Sequence, residues 1–146
     1  PYHAALRTQL DRVRAKHGVA VLYDCHSIRS VIPRLFDGTL PDFNIGDFMG
    51  AACAPAVTRA VADICADQRE YNHVVNGRFK GGWTTRHYGD PAAGVHAIQM
   101  ELSQATHLAT ETPPFDYDPA KAERLRPVLR QILSRLDYLA VTGALQ

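Results

Sequence analysis

The sequence predicts an α/β protein forming a single domain over residues 1–146. Two stretches carry that reading. A helical segment closing at Gly18 runs straight into Val19-Ala20-Val21-Leu22-Tyr23, an apolar run without alternation, which suits a strand covered on both faces. Farther along, Val95-His96-Ala97-Ile98-Gln99-Met100-Glu101-Leu102 reads as a central strand. Helix followed directly by buried strand is the order of an α/β sheet.

In chain order, residues 2–17 place Leu6, Leu10, Val13 and the stem of His17 at helical spacing, with Gly18 as the stop. The strand 19–23 follows. Residues 28–50 are punctuated by Pro33, Gly38, Pro41, Gly46 and Gly50 and read as irregular. A second helix is expected over 54–67, with Val57, Val61, Ile64 and Cys65 as its apolar stripe and Pro55 in its first turn. Asn72 to Val75 reads as a short strand, and Thr112-Pro113-Pro114 as a break. Asp118 and Pro119 open a last helix carrying Leu125, Leu129, Ile132 and Leu136, which Pro127 is expected to kink or divide. Three visible strands are few for an independent sheet. With no initiator methionine, the expectation is a processed chain or a fragment.

Composition narrows the function. Sixteen basic and fifteen acidic side chains leave a formal charge of +1, so no overall field recruits nucleic acid or a membrane surface. No apolar run approaches the roughly 20 residues that span a bilayer, and the start lacks a secretory pattern. Cys25, Cys53 and Cys65 are an odd set without a CxxC pair. They argue against a disulfide scaffold or zinc knuckle and for buried free thiols in a cytoplasmic protein.

Anion recognition must therefore be local, and one run stands out. Asn76-Gly77-Arg78-Phe79-Lys80-Gly81-Gly82-Trp83-Thr84-Thr85-Arg86 holds three cations and three glycines within eleven residues. Glycine lets backbone approach a ligand closely, and arginine presents a planar fork that matches a carboxylate or phosphate. An exposed basic hairpin is the plain alternative. Asp24-Cys25-His26-Ser27 follows the first strand, and ligands of open α/β sheets bind beyond the carboxyl ends of strands. His26 is thus placed as a metal ligand or general base, with Asp24 as a partner for its imidazole. Glu101 is a carboxylate in an apolar strand, a costly placement unless it is paired or has chemistry to perform. Its alternative is a structural salt bridge. Parity puts Gln99 on the same strand face as Glu101. Of the remaining histidines, His3 and His17 read as helix-surface residues and His73, His87 and His107 as pocket walls. Phe43 and Phe48 read as core.

Five ordered blocks carry a family resemblance. They are Leu22-Tyr23-Asp24-Cys25-His26-Ser27-Ile28, Leu40-Pro41-Asp42-Phe43-Asn44-Ile45-Gly46 and Asn76-Gly77-Arg78-Phe79-Lys80-Gly81-Gly82. Thr85-Arg86-His87-Tyr88-Gly89 and the strand Val95 to Leu102 complete the set. Together they resemble the N-formylglutamate amidohydrolases, the deformylases of histidine breakdown, over essentially the whole chain.

The resemblance implies a mixed sheet flanked by helices, related to the zinc carboxypeptidases (phosphorylase/hydrolase-like), here incomplete. It implies one catalytic zinc with His26 as a ligand, and Glu101 as the general base. Arg78 is implied as a catalytic oxyanion-stabilising and substrate-binding residue. Asn76, Lys80, Arg86 and Gln99 join it around a small dicarboxylate substrate. Family members are longer, and their other zinc ligands are expected upstream of this region. The segment Thr106 to Glu111 departs from the aromatic-Met pattern expected there. The competing reading is a truncated, non-catalytic carboxylate-binding domain. A phosphate-binding enzyme ranks lowest, since neither GxxxxGK[ST] nor a strand-linked GxGxxG occurs.

Overall fold

Four strands form one mixed sheet in the computed structural model, which describes residues 1–145. The order of elements is α1 (Tyr2–His17), β1 (Ala20–Ile28), β2 (Phe43–Gly46), α2 (Pro55–Ala66), β3 (His73–Val75), α3 (Trp83–Tyr88), β4 (Val95–Ser103) and α4 (Pro119–Val141). Across the sheet the order is β1-β4-β2-β3. β4 pairs with β1 in parallel and with β2 antiparallel, and β2 pairs with β3 in parallel.

The two faces of this sheet do different things. Side chains alternate across a strand, so Ile98 and Met100 face one way and Gln99 and Glu101 the other. The first face joins Phe43, Ile45, Val57, Val61, Ile64, Val128, Ile132 and Leu136 in the main core beneath α2 and α4. On the second face α1 and α3 cover only one end, through Leu10, Ala20, Tyr88 and Val95. The rest of that face carries polar groups.

Several expectations hold. α1 ends at Gly18, whose φ of 79° is the left-handed conformation glycine adopts without penalty. Pro55 opens α2, and Asp118 caps α4 by accepting from the Ala120 and Lys121 amides.

Others are corrected. Phe43–Gly46, inside the stretch read as irregular, is strand β2. Its sequence shows only two apolar residues, and the ladders to β4 and β3 supply what periodicity does not. β1 continues through Asp24, Cys25, His26 and Ser27, because their backbones pair with Gln99 to Leu102; His26 therefore lies within the strand rather than beyond it. α4 is not divided at Pro127. That residue is exposed, while Leu125, Val128, Ile132 and Leu136 are buried on either side of it. Leu129 is only partly buried, and Val128 takes the core position. Phe48 is 42% exposed rather than core, and Cys25 is exposed while Cys53 and Cys65 are buried. Among the described residues no helix is long and apolar enough to cross a membrane.

His96 is a structural residue within β4, 2% exposed. Its Nδ1 accepts the Ala54 amide at 3.1 Å at the start of α2, so Nε2 carries the proton and donates to the Leu145 carbonyl at 3.3 Å. Burial lowers its pKa from the ordinary 6.5. A depressed folded pKa gives stability that is fully present above the unfolded value and lost as pH falls through the folded one. The urea midpoint is therefore expected to decline below about pH 6.5. His96→Asn keeps an acceptor for Ala54 without titrating there, and should flatten that decline, with a residual slope from His107, which shifts in the same direction.

Candidate active site

Glu101 is the residue around which the polar face is organised. It is 7% exposed, in the strand paired on both sides. On one side its register partner is His26 of β1, and on the other Asn44 of β2. Asn44 donates through Nδ2 to the Glu101 carbonyl at 3.0 Å. Asp24, two residues before His26, is in register with Gln99. Its Oδ1 lies 2.9 Å from His26 Nε2, and its buried Oδ2 has no hydrogen-bond partner among the described residues. Register and parity thus gather Asp24, His26, Gln99 and Glu101 on one face. Burial raises the Glu101 pKa above the ordinary 4.5 and the Asp24 charge adds to it; His26 and the bond from Gln99 act the other way without cancelling it.

The glycine-rich run reaches this carboxylate through hydrogen bonds. The Gly82 amide donates to Gln99 Oε1 at 2.5 Å, and Gln99 Nε2 donates to Glu101 Oε2 at 3.2 Å. Arg86 Nε donates to the Gly82 carbonyl at 3.3 Å, and its guanidinium lies 5.7 Å from the centre of the Phe48 ring. A continuous path therefore runs from a cation to the buried carboxylate. Only residues 76–82 of the run are loop, because Trp83 to Arg86 begin α3. The loop lies hard against β2: a Cβ on Gly46 would fall 2.3 Å from Gly81 N and 2.7 Å from Lys80 C. Both contacts are with backbone, so no rotamer change would relieve them.

The remaining predicted residues divide. Arg78 Nε donates to the Leu35 carbonyl at 2.6 Å, and its guanidinium packs 5.6 Å from the Phe79 ring centre. Arg78, Lys80 and Arg86 are exposed, and none is in an ion pair among the described residues. Asn76 instead has a structural task. Its Nδ2 donates to Asp47 Oδ1 at 2.6 Å, and its Oδ1 accepts from the Asp47 and Met49 amides.

Asp47 is the residue that sequence reasoning missed. It also accepts from the Thr58 hydroxyl at 2.6 Å and the Gly50 amide at 2.8 Å. Burial pushes its carboxyl up, but these bonds outweigh it and hold the pKa below the ordinary carboxylate range. The signal available was a charged residue directly after Phe43-Asn44-Ile45-Gly46, a segment not recognised as a strand. Of the histidines, His87 stacks on Trp83 at 4.1 Å, and His3 bonds Tyr88 while its ring meets Trp83. His107 joins Cys25, His26 and Tyr117 around a cavity of about 360 Å³ beside α4, across the sheet from Glu101.

Zinc fits this chain only in part. A catalytic zinc takes three protein ligands, and among the described residues no group of three or more His, Cys, Asp or Glu side chains is arranged to hold a metal. His26 offers one donor, with Asp24 already beside it.

A sequence profile of the N-formylglutamate amidohydrolases matches residues 1–108, which include every residue of this site. The chain belongs to the N-formylglutamate amidohydrolase family. It is 54% identical over 136 residues to an N-formylglutamate deformylase of Pseudomonas putida, covering 93% of this chain and 51% of that protein. An N-formylglutamate deformylase of Pseudomonas aeruginosa is 50% identical over the same extent. The crystal structure of an N-formylglutamate amidohydrolase from Ralstonia eutropha JMP134 superposes with a TM-score of 0.83 at 24% identity, over 98% of this chain and 52% of that one. The mixed sheet with flanking helices is thus the family's fold, and the chain spans about half the length of the curated relatives it matches.

A buried carboxylate with a raised pKa contributes stability that is present below the unfolded pKa and lost as pH rises through the folded value. Glu101 therefore weakens the fold near neutrality. Glu101→Gln is expected to be more stable than the parent by about 0.5–2 kcal/mol near pH 7, the usual range for a single stabilising substitution. The difference should narrow toward pH 4.5 in paired urea titrations.

Proposed function

We propose that this chain carries the general base and the substrate-anion loop of an enzyme that hydrolyses N-formyl-L-glutamate to formate and L-glutamate, in the cytoplasm, as a step of histidine degradation. The observation that carries the reading is the hydrogen-bonded path Arg86–Gly82–Gln99–Glu101, in a chain half identical to deformylases. It joins a group able to take a proton to a loop able to hold a carboxylate.

In this reading water adds to the formyl carbon as Glu101 accepts its proton. The C–N bond then breaks, and Glu101 returns the proton to the departing amine, so one residue serves as base and then acid. Substrate carboxylates meet the Nη groups of Arg86 and Arg78 and the Lys80 ammonium. Arg78 also faces charge that develops on the formyl oxygen. Each arginine holds a backbone carbonyl through Nε, which fixes the guanidinium and lowers the ordering cost of binding. A zinc or other divalent ion, with His26 as one ligand, would polarise the formyl carbonyl and make its water acidic; its other ligands are proposed to come from the part of the relatives' length that this chain does not span.

The lack of a three-ligand group among the described residues favours a second reading, a carboxylate-binding domain without turnover. Elemental analysis together with formate release separates the two. The hydrolytic reading predicts bound metal, formate from N-formyl-L-glutamate, and loss of that activity on chelation. It also predicts that Arg86→Ala raises KM for N-formyl-L-glutamate about tenfold or more, as loss of a charged hydrogen-bonding partner implies. Metal-free protein that binds N-formyl-L-glutamate and releases no formate supports the second reading.

A further inference from the structure

Gln99 was expected to contact substrate, yet both ends of its amide are engaged within the protein. It is 4% exposed. Its Oε1 receives the Gly82 amide at 2.5 Å, and its Nε2 lies 3.2 Å from Glu101 Oε2. The assignment of oxygen and nitrogen follows from chemistry. A backbone N–H only donates, so the end facing Gly82 must be the oxygen. The nitrogen must then face Glu101, where a carboxylate accepts.

Neighbouring backbone fixes the geometry further. Gly46 of β2 is in register with Gln99, and only its missing Cβ lets Lys80 and Gly81 lie across the strand at this point. Gly81, with φ of 105°, turns the loop so that the Gly82 amide addresses the sheet. On the far side of Gly82, its carbonyl holds Arg86.

We propose that Gln99 is a positioning residue that fixes the anion-binding loop and the Glu101 carboxylate relative to each other, so that a substrate carboxylate held by the loop sets the reacting carbon at the base. This deepens the hydrolytic reading of Glu101 and rests on it. A side chain in this role must accept at one end and donate at the other, and among the common residues of this length only glutamine does both without charge. Glutamate keeps the acceptor for Gly82 but turns an anion toward Glu101. Methionine fills the space and makes neither bond.

Those two substitutions separate positioning from its alternatives. Gln99→Met should speed hydrogen exchange at the Gly82 amide, raise KM and lower kcat, each by about tenfold, as loss of a buried hydrogen bond implies. Gln99→Glu should leave Gly82 exchange and KM within about threefold of the parent, while kcat falls about tenfold or more, because the bond to the base is replaced by a like charge while the tether to Gly82 is kept. Parental kcat in Gln99→Glu with Gly82 still protected would reduce Gln99 to a loop anchor and overturn the proposal. A raised KM at unchanged kcat in both variants would return it to substrate contact. Unchanged Gly82 exchange in Gln99→Met overturns the tether whatever the activity, whereas a parent protein that releases no formate overturns the hydrolytic reading itself.

Discussion

The burial of one carboxylate in the most thoroughly paired strand of the sheet sets the terms for everything near it. Glu101 cannot be solvated as it would be at a surface, and removing a charge from water is costly unless it is paired or hydrogen-bonded. The chain answers with three neighbours of different kinds. Gln99 donates to the carboxylate, His26 stands in register across β1, and Asn44 secures the strand's own backbone from β2. What remains is a carboxylate whose pKa stays above its ordinary value. Such a group costs stability and gains proton affinity, which is the trade expected of a general base.

The separation of the sheet into two faces makes that arrangement tolerable. Alternation sends Ile98 and Met100 into the core under α2 and α4, while Gln99 and Glu101 face the other way. Polar groups of β1 and β2 therefore gather without interrupting the main core. His96 is on the core side and is engaged at both ring nitrogens, by the Ala54 amide and the Leu145 carbonyl. It ties helix and strand together and is not available to a metal. The loop is held from two directions, by Gln99 at Gly82 and by the Asn76–Asp47 turn at its start. Its cations are exposed but rest on a fixed backbone.

Much of this was legible in the sequence, for identifiable reasons. α1 and α2 announced themselves through periodic apolar residues and glycine or proline at their ends, and β4 through an apolar run too long for a turn. His26 and Glu101 stood out because each placed a titratable group in or beside a strand, a local anomaly that one chain can show. The features missed are the non-local ones. β2 has four residues and gains its identity from pairing on both sides. Asp47 matters through partners 11 and 29 residues away. Asn76 carries residue types expected of a ligand site, yet its amide is directed inward to a turn. Gln99 was placed on the right face, but the direction of its amide depends on a loop that folds back from 17 residues away. Family resemblance named these positions together, and the direction in which each side chain turns comes from contacts distant in the chain.

Glu101, as the group that moves the proton, is the residue on which hydrolysis would depend. Formate release and equilibrium binding of N-formyl-L-glutamate, measured on the parent and on Glu101→Gln, test this most directly. The amide occupies nearly the same volume and can still hydrogen-bond, but it cannot accept the water's proton at neutral pH. The account predicts turnover reduced by at least about a hundredfold, within the usual range for loss of a general base, with affinity for the substrate within a few-fold of the parent. Turnover close to that of the parent in a folded Glu101→Gln protein would contradict it.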